Sequence, residues 1–375
     1  MVRTARPWRL VCVECDRATD DVAYECPDCA GTLLAAPEPP VSRGRADLLV
    51  DVGECVDLGQ GDTPLVPVAG RPGVLAKLES LNPTLSFKDR AMSLGAGLAV
   101  RLGARGLVVA STGNAAVSAA AYAAAAGLRC RVVVGSASHA GRKLAACAAY
   151  GAEVAEVEGD YSDAYARAAA EEGDGWVNVS TTYRNPILAE AYRLIAFELL
   201  DQLGVEPAVV VVPIGAGPLL RGIERGFADA VCLGLVARVP RLVGVQAAAM
   251  APIARFWAGA SLADLRGSSW SATSATAIAD PLRGYESAAA ITAAAIGRTG
   301  GEVVAVGEGA ISEAVGELAA SGVWVEPGAA TALAASDALG LGGAGERRGT
   351  ERHVDPGGPV VLMLTGHGAK AQGPA

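Results

Sequence analysis

Short apolar runs alternate with longer helix-like segments through the middle of the chain. GLVVAST and CRVVVG read as strands, with a helix from Ala115 to Ala126 between them. A helix around Arg142 to Tyr150, the strand AEVAEVEG, a helix from Ser162 to Glu171 and the strand WVNVS continue the alternation. A helix from Ile187 to Leu203 then leads into AVVVVPIG, a further helix and RLVGVQA. Strands alternating with helices of this length predict an α/β fold with parallel sheets covered on both faces. The stretch from Gly340 to Pro359 and the tail after Lys370 read as loop, and AAPEPPVSRGR reads as a linker behind the first segment.

Composition adds room for a large interior. The 375 residues are 51% hydrophobic and 19% charged, enough for two packed domains and a small appendage. A net charge of −9 argues against nucleic acid or an acidic membrane surface as partner. Arg347, Arg348 and Arg352 lie close together, but Glu346, Glu351 and Asp355 interrupt them. The opening MVRTARPWRLVCVEC lacks the apolar stretch of a secretory signal, and the most apolar run, Ala208 to Ile214, is only strand-sized. A cytoplasmic location is therefore expected, where disulfides are unusual.

Four of the eight cysteines form a pattern. Cys12-x-x-Cys15 and Cys26-x-x-Cys29 stand ten residues apart within the segment from Trp8 to about Leu34. Two such pairs can close a tetrahedral structural zinc site, in a unit too small to fold on its own core. A redox pair or coincidence are the competing explanations. Cys55, Cys130, Cys147 and Cys232 read as core thiols.

Candidate chemistry sits at four places. In SLNPTLSFKDRAMSLGAGLAVRL, Asn82-Pro83 signals a turn and Thr84 or Ser86 can cap the helix that follows. Lys88 then falls at a helix start, where the dipole opposes a cation and favours a neutral amine able to attack a carbonyl. Taken alone, such a lysine is more often a solvated charge. In VVASTGNAAVSAA, a buried strand ends in Ser111-Thr112-Gly113-Asn114 and opens into a helix, the place where parallel sheets bind ligands, or else an ordinary capped turn. In VVVVPIGAGPLLRG, Gly215-Ala216-Gly217 before a helix makes a phosphate cradle of backbone N–H groups, with Pro218 suited to the first helical position. Gly222 falls too late for the dinucleotide pattern, and no Lys-Ser/Thr follows as a Walker motif requires. In VVLMLTGHGAK, a strand delivers Thr365, whose hydroxyl can bond a pyridine nitrogen, followed by His367, alone more simply a loop histidine.

Taken in order, these elements resemble threonine synthase and its relatives among the tryptophan-synthase-β-like pyridoxal-phosphate (PLP) enzymes. NPTLSFKDR, STGNAAVSAAAYAA and LTGHGAK match that family's lysine, asparagine and C-terminal motifs, and KLAACAAYGAEVAEVEGDYSDA, GVQAAAMAPI, TSATAIADP and WVEPGAATALAA extend the likeness over nearly the whole chain. The resemblance implies a two-domain PLP fold with an N-terminal zinc-ribbon-like segment: 1–36 the ribbon, 37–90 with 185–375 the large domain, and 91–184 the small one. It implies that Lys88 carries the cofactor and moves protons, Phe87 packs beside the ring, Asn114 bonds its hydroxyl, Gly215, Ala216, Gly217 and Leu219 bind its phosphate, and Thr365 faces its nitrogen. Ser86, Ser111, Thr112 and Arg184 are then candidate substrate contacts. The partners implied are a small amino-acid substrate and a second copy in a homodimer.

The departures bear on substrate. Leu85 stands where the family has glycine, Ala115 where many synthases have threonine, and NPILAEAYRL has Leu188 where the family's substrate-phosphate arginine falls, with Arg184 and Arg193 nearby. The activity implied is conversion of O-phosphohomoserine and water to threonine and phosphate in amino-acid biosynthesis. The alternative is another PLP-dependent β/γ-elimination or replacement enzyme, of serine/threonine dehydratase-like or cysteate-synthase-like kind. A zinc-ribbon protein that grips nucleic acid is disfavoured by the acidic charge.

Overall fold

The apolar runs do become parallel strands. In the computed structural model, which describes residues 2–3, 6–136, 141–180, 183–341 and 357–371, contacts divide the chain into two compact units. One comprises Met1–Gly61 and Asn82–Leu194; the other comprises Asp62–Leu81 and Ile195–Ala371.

The first unit holds a parallel sheet in the order Glu153–Val157, Arg129–Gly135, Gly106–Ala110, Trp176–Asn178. Its central strand Gly106–Ala110 is buried along its whole length, as expected where helices cover both faces. Helix α1 (Lys88–Arg101) packs against helix α2 (Asn114–Ala125) and against the 3-10 turn Leu188–Arg193. Those contacts place Asn82–Arg90 and Asn185–Leu194 in this unit, which also takes in residues 37–61; the resemblance assigned 37–90 to the large domain and 91–184 to the small one. The helix expected from Ile187 begins as that 3-10 turn and becomes α-helical only over Leu194–Leu203, α3.

A three-stranded antiparallel sheet of Trp8–Cys12, Ala18–Thr19 and Leu33–Pro37 forms the N-terminal segment of the same unit. Its last strand takes up the first residues of the expected linker.

The second unit is built on a six-stranded sheet, ordered Glu302–Val306, Arg241–Ala247, Val209–Pro213, Val360–Met363, Val74–Lys77, Leu65–Pro67. All neighbours run parallel except the last pair. Val209–Pro213 and Val360–Met363 are wholly buried, and helix α4 (Pro218–Cys232) follows the former. Cys55, Cys130 and Cys147 are core thiols as expected; Cys232 is exposed, because the last turn of α4 turns it to solvent. The expected loop over Gly340–Pro359 falls largely outside the described residues, as do the arginines around Arg348 and the tail beyond Ala371.

One charged group lies at the heart of this second unit. Lys77 is fully buried, and its Nζ donates to the Thr63 carbonyl (2.6 Å), Glu198 Oε2 (2.7 Å) and Gln202 Oε1 (3.0 Å). An ammonium has three protons to place, and each finds an acceptor. Gln202 returns a bond to the same Thr63 carbonyl at 2.8 Å, so the edge of the sheet is tied to α3. Removing one partner of a buried pair strands the other, so Lys77→Ala should cost about 3–5 kcal/mol. Urea unfolding should show this as a lower midpoint. Lys77→Met combined with Glu198→Leu should recover most of the loss; a double variant as unstable as the single one contradicts this account.

Candidate active site and cysteine cluster

The cysteine segment shows how spacing becomes geometry. Asp16 and Ala30 each follow the second cysteine of a pair, and both adopt left-handed backbone, with φ of 58° and 57°. Asp16 N–H bonds the Cys12 carbonyl (3.2 Å) and Ala30 N–H the Cys26 carbonyl (2.8 Å), so the two turns are built alike. They bring Cys12 within 3.5 Å of Cys29, Cys15 within 3.6 Å of Cys26 and Cys15 within 3.4 Å of Cys29, sulfur to sulfur. All four sulfurs lie within 4.8 Å of one another, and none is in a disulfide. Four thiolates about 2.3 Å from a tetrahedral zinc would stand about 3.8 Å apart. The cluster therefore fits a metal ion.

Lys88 is the first residue of α1 and half-buried, its Nζ 4.6 Å from the centroid of the Phe87 ring. Phe87 in turn packs on Tyr192, with ring centroids 5.4 Å apart. The expected Thr84 or Ser86 cap is not made: Phe87 holds the cap position without a side-chain bond. The turn is instead fixed from inside the helix by Asp89, which is fully buried. Its carboxylate accepts from the Thr84 N–H (2.6 Å), the Thr84 hydroxyl (2.5 Å) and the Ser118 hydroxyl of α2. Sequence reading passed over Asp89, although an acid in the first turn of a helix was a visible signal.

Leu85 sits in this turn at φ 65°, the left-handed region that glycine occupies freely. For leucine this costs about 1–2 kcal/mol. Ser86 is fully buried, and its hydroxyl has no hydrogen-bond partner among the described residues. A hydroxyl left in that state costs about 1–3 kcal/mol, which a bound ligand beside Lys88 would relieve.

On the sheet of the same unit, Gly106–Ala110 ends at Ser111, whose Oγ accepts from the Gly113 N–H at 3.0 Å. This small turn starts α2 at Asn114, which is 7% exposed. Thr112 lies between them, half-buried.

In the second unit two adjacent central strands deliver the remaining candidates from the same sheet edge. Val209–Pro213 leads to Gly215-Ala216-Gly217, and Val360–Met363 leads to Thr365, which is 5% exposed. Gly217 has φ 102°, and a Cβ there would lie 2.2 Å from Thr292 Oγ1. Thr292 Oγ1 donates to the Ala216 carbonyl (2.7 Å), and Gln246 Nε2 to the Gly215 carbonyl (3.2 Å). With its carbonyls held behind, the turn keeps its N–H groups and the α4 N-terminus as an anion cradle. Leu219, in the first turn of α4, is buried. Thr292 and Gln246 were missed in the sequence because they are distant in the chain and belong to no motif.

Neither nearby arginine stands unclaimed by acids. Arg184 bonds Glu172 through Nε (2.9 Å) and Nη2 (2.5 Å), and also bonds Glu25. Burial opposes its charge, but the bonds to Glu172 and Glu25 raise its pKa above the usual guanidinium value. Arg193 is fully buried and paired with Glu190, itself fully buried. Leu188 is buried against Gly95 of α1, a core position.

Among the described residues no helix is long and apolar enough to cross a membrane.

Comparison with known proteins accounts for this arrangement. Residues 56–366 match the model of the pyridoxal-phosphate dependent enzyme family. Threonine synthase of Mycobacterium tuberculosis is 36% identical over 203 residues, 53% of this chain and 56% of the relative, so in that match the chain spans about half of the relative's length. Threonine synthases of Synechocystis (35% identical; 84% of this chain, 78% of the relative) and Methanocaldococcus jannaschii (31%; 96% and 92%) align more fully. Among solved structures, a T.th. threonine deaminase is similar at a TM-score of 0.62 and 25% identity, over 82% of this chain and 92% of that one. O-ureido-L-serine synthase has the same fold, at a TM-score of 0.63 and 22% identity over 83% and 90% of the two chains. With its lysine at a helix start and its glycine turn and threonine at the ends of adjacent parallel strands, the chain belongs to the threonine synthase family of pyridoxal-phosphate-dependent enzymes.

Proposed function

We propose that the protein is a threonine synthase-like lyase converting O-phosphohomoserine and water to threonine and phosphate. The observation that carries this is the Lys88 turn: a half-buried amine at a helix start beside the buried, unsatisfied hydroxyl of Ser86. Bound PLP supplies the electron sink for the carbon–hydrogen bonds that must break. Lys88 Nζ takes the proton from the substrate α-carbon and returns it. Phe87 would pack beside the ring, Asn114 would offer its amide to the ring hydroxyl, and the N–H groups of Gly215, Ala216, Gly217 and Leu219 would hold the cofactor phosphate. Thr365 would offer a hydroxyl to the pyridine nitrogen. Ser86, Ser111 and Thr112 supply hydroxyls and backbone for the substrate carboxylate. We further propose a homodimer in the cytoplasm, with one structural zinc per chain on Cys12, Cys15, Cys26 and Cys29.

A second reading is favoured by the pairing of Arg184 with Glu172 and Glu25, and of Arg193 with Glu190. A desolvated phosphate dianion needs charge-assisted, preferably bidentate hydrogen bonds, and guanidinium supplies them best. With both guanidiniums paired to carboxylates, the alternative these ion pairs favour is a smaller or less anionic amino acid, eliminated or substituted at its β- or γ-carbon.

Borohydride reduction of the holoenzyme followed by peptide mapping should place the pyridoxyl group on Lys88. Recovery on Lys77, Lys143 or Lys370 contradicts the assignment. Lys88→Ala should abolish turnover, whereas Thr365→Val should slow it and keep the cofactor bound.

Freshly purified protein should contain one zinc per chain by elemental analysis. Cys15→Ser should release it and loosen the N-terminal segment while α2 and the parallel sheets stay folded. Metal-free protein with four titratable thiols in that segment would refute the zinc assignment.

Steady-state kinetics separate the two substrate readings. Each absent ionic contact weakens phosphate binding by about tenfold to a hundredfold, from about 1.5–3 kcal/mol per bond. The second reading expects kcat/KM for O-phosphohomoserine to fall below that for serine, threonine or a phosphate-free homoserine ester. Efficient threonine formation that is untouched by Arg184→Ala and Arg193→Ala rules the second reading out.

A further inference from the structure

The strand Trp176–Asn178 stops short of its neighbour. Asn178 pairs with Val108, and the Val179 N–H still reaches the Val108 carbonyl at 2.9 Å. Beyond that point the N–H of Ala110 is met by a side chain, the Ser180 hydroxyl, at 3.0 Å. Ala110 is the last residue before the Ser111–Asn114 turn, so Ser180 holds the root of that turn.

Ser180 is itself held. Its N–H donates to Asn178 Oδ1 (2.9 Å), and the Asn178 amide donates to Glu172 Oε1 (2.7 Å). The Asn178 carbonyl accepts from Asn185 Nδ2 (2.8 Å), and its backbone N–H donates to the Tyr24 hydroxyl (2.9 Å). Asn178 and Ser180 are fully buried. Tyr24 belongs to the cysteine segment, two residues before Cys26, and Arg184 joins Glu25 to Glu172 across the Tyr24 ring, 5.9 Å from its centroid.

We propose that Tyr24 and Ser180 are positioning residues, through which the docked N-terminal cysteine segment fixes the turn that presents Asn114 to the cofactor ring. The proposal rests on the role given to Asn114 above. Its physical basis is that a connected, largely buried polar chain favours one arrangement, and loss of one member leaves the next free to move. A carboxamide meant for a ring hydroxyl tolerates little displacement.

The test is a double-mutant cycle on the holoenzyme, reading PLP dissociation constant, the absorbance maximum of bound PLP, metal content and melting temperature. Tyr24→Phe and Ser180→Ala are both isosteric truncations of one hydroxyl. Each should weaken PLP binding about three- to tenfold, the range expected for one lost hydrogen bond. Each should also shift the absorbance maximum, with metal content as in the wild type. The double variant should lose less than the product of the single losses, because both act on one chain of contacts. Arg17→Ala, which breaks an exposed 3.6 Å pair with Asp28 in the same segment, should change none of these readouts. Lower melting with unchanged PLP affinity and spectrum would make Tyr24 and Ser180 structural only and overturn the proposal. Independent, multiplicative losses overturn it too, as does an Arg17→Ala effect equal to that of Tyr24→Phe. A wild-type chain that takes up no PLP overturns the site reading and the coupling together; one that binds PLP while the variants bind it equally well overturns the coupling alone.

Discussion

The buried carboxylate of Asp89 sets the position of Lys88. It takes the N–H and hydroxyl of Thr84 and the hydroxyl of Ser118, and so closes the chain between residues 84 and 89 into a loop anchored on α2. Within that loop Leu85 is driven to φ 65° and Ser86 is buried with an unsatisfied hydroxyl. Neither condition is favourable by itself, and together they amount to about 2–5 kcal/mol of local cost. Such strain persists only where the surroundings over-determine it, and it concentrates at functional sites. The three bonds to Asp89 supply that determination, and Lys88 is the next residue along.

The same relation between scaffold and turn recurs elsewhere. In each unit the candidate residues follow the carboxyl ends of buried central strands: Asn114 after Gly106–Ala110, Gly215 to Gly217 after Val209–Pro213, Thr365 after Val360–Met363. A parallel strand fixes where its last residue lies, but the turn beyond it needs further holding. Ser180 does this for Ala110, and Thr292 and Gln246 do it for the glycine turn.

That division explains what could be read from the sequence. Strands and helices were legible because a parallel sheet covered on both faces leaves uninterrupted apolar runs, such as VVVV before Pro213. The glycine and threonine turns were legible because glycine, proline and hydroxyl residues mark strand ends, and the lysine turn because Asn82-Pro83 marks the approach to a helix start. The supporting residues were not. Thr292 lies 76 positions from Ala216, and nothing in TAAAIG announces that its hydroxyl meets the Ala216 carbonyl. The unit boundary near residue 82 was equally hidden, since it depends on which neighbours α1 packs against and not on any break in pattern. The two cysteine pairs are the opposite case: their local spacing alone dictates matching turns, and residues 16 and 30 adopt nearly equal φ angles.

Arg184 brings these threads to one group. Its guanidinium is bidentate to Glu172, bonds Glu25 of the cysteine segment and lies over the Tyr24 ring. A phosphate that recruited both Nε and Nη2 would displace Glu172, which is about nine-tenths buried and would be left as an uncompensated charge. Breaking such a pair costs about 3–5 kcal/mol, which is about what two ionic hydrogen bonds to a phosphate return at about 1.5–3 kcal/mol each. Bidentate use of the guanidinium on an anion therefore competes with its hold on Glu172 at little net gain. By placing Glu25 beside Cys26 and Glu172 ahead of the strand Trp176–Asn178, the sequence ties this guanidinium to the cysteine segment.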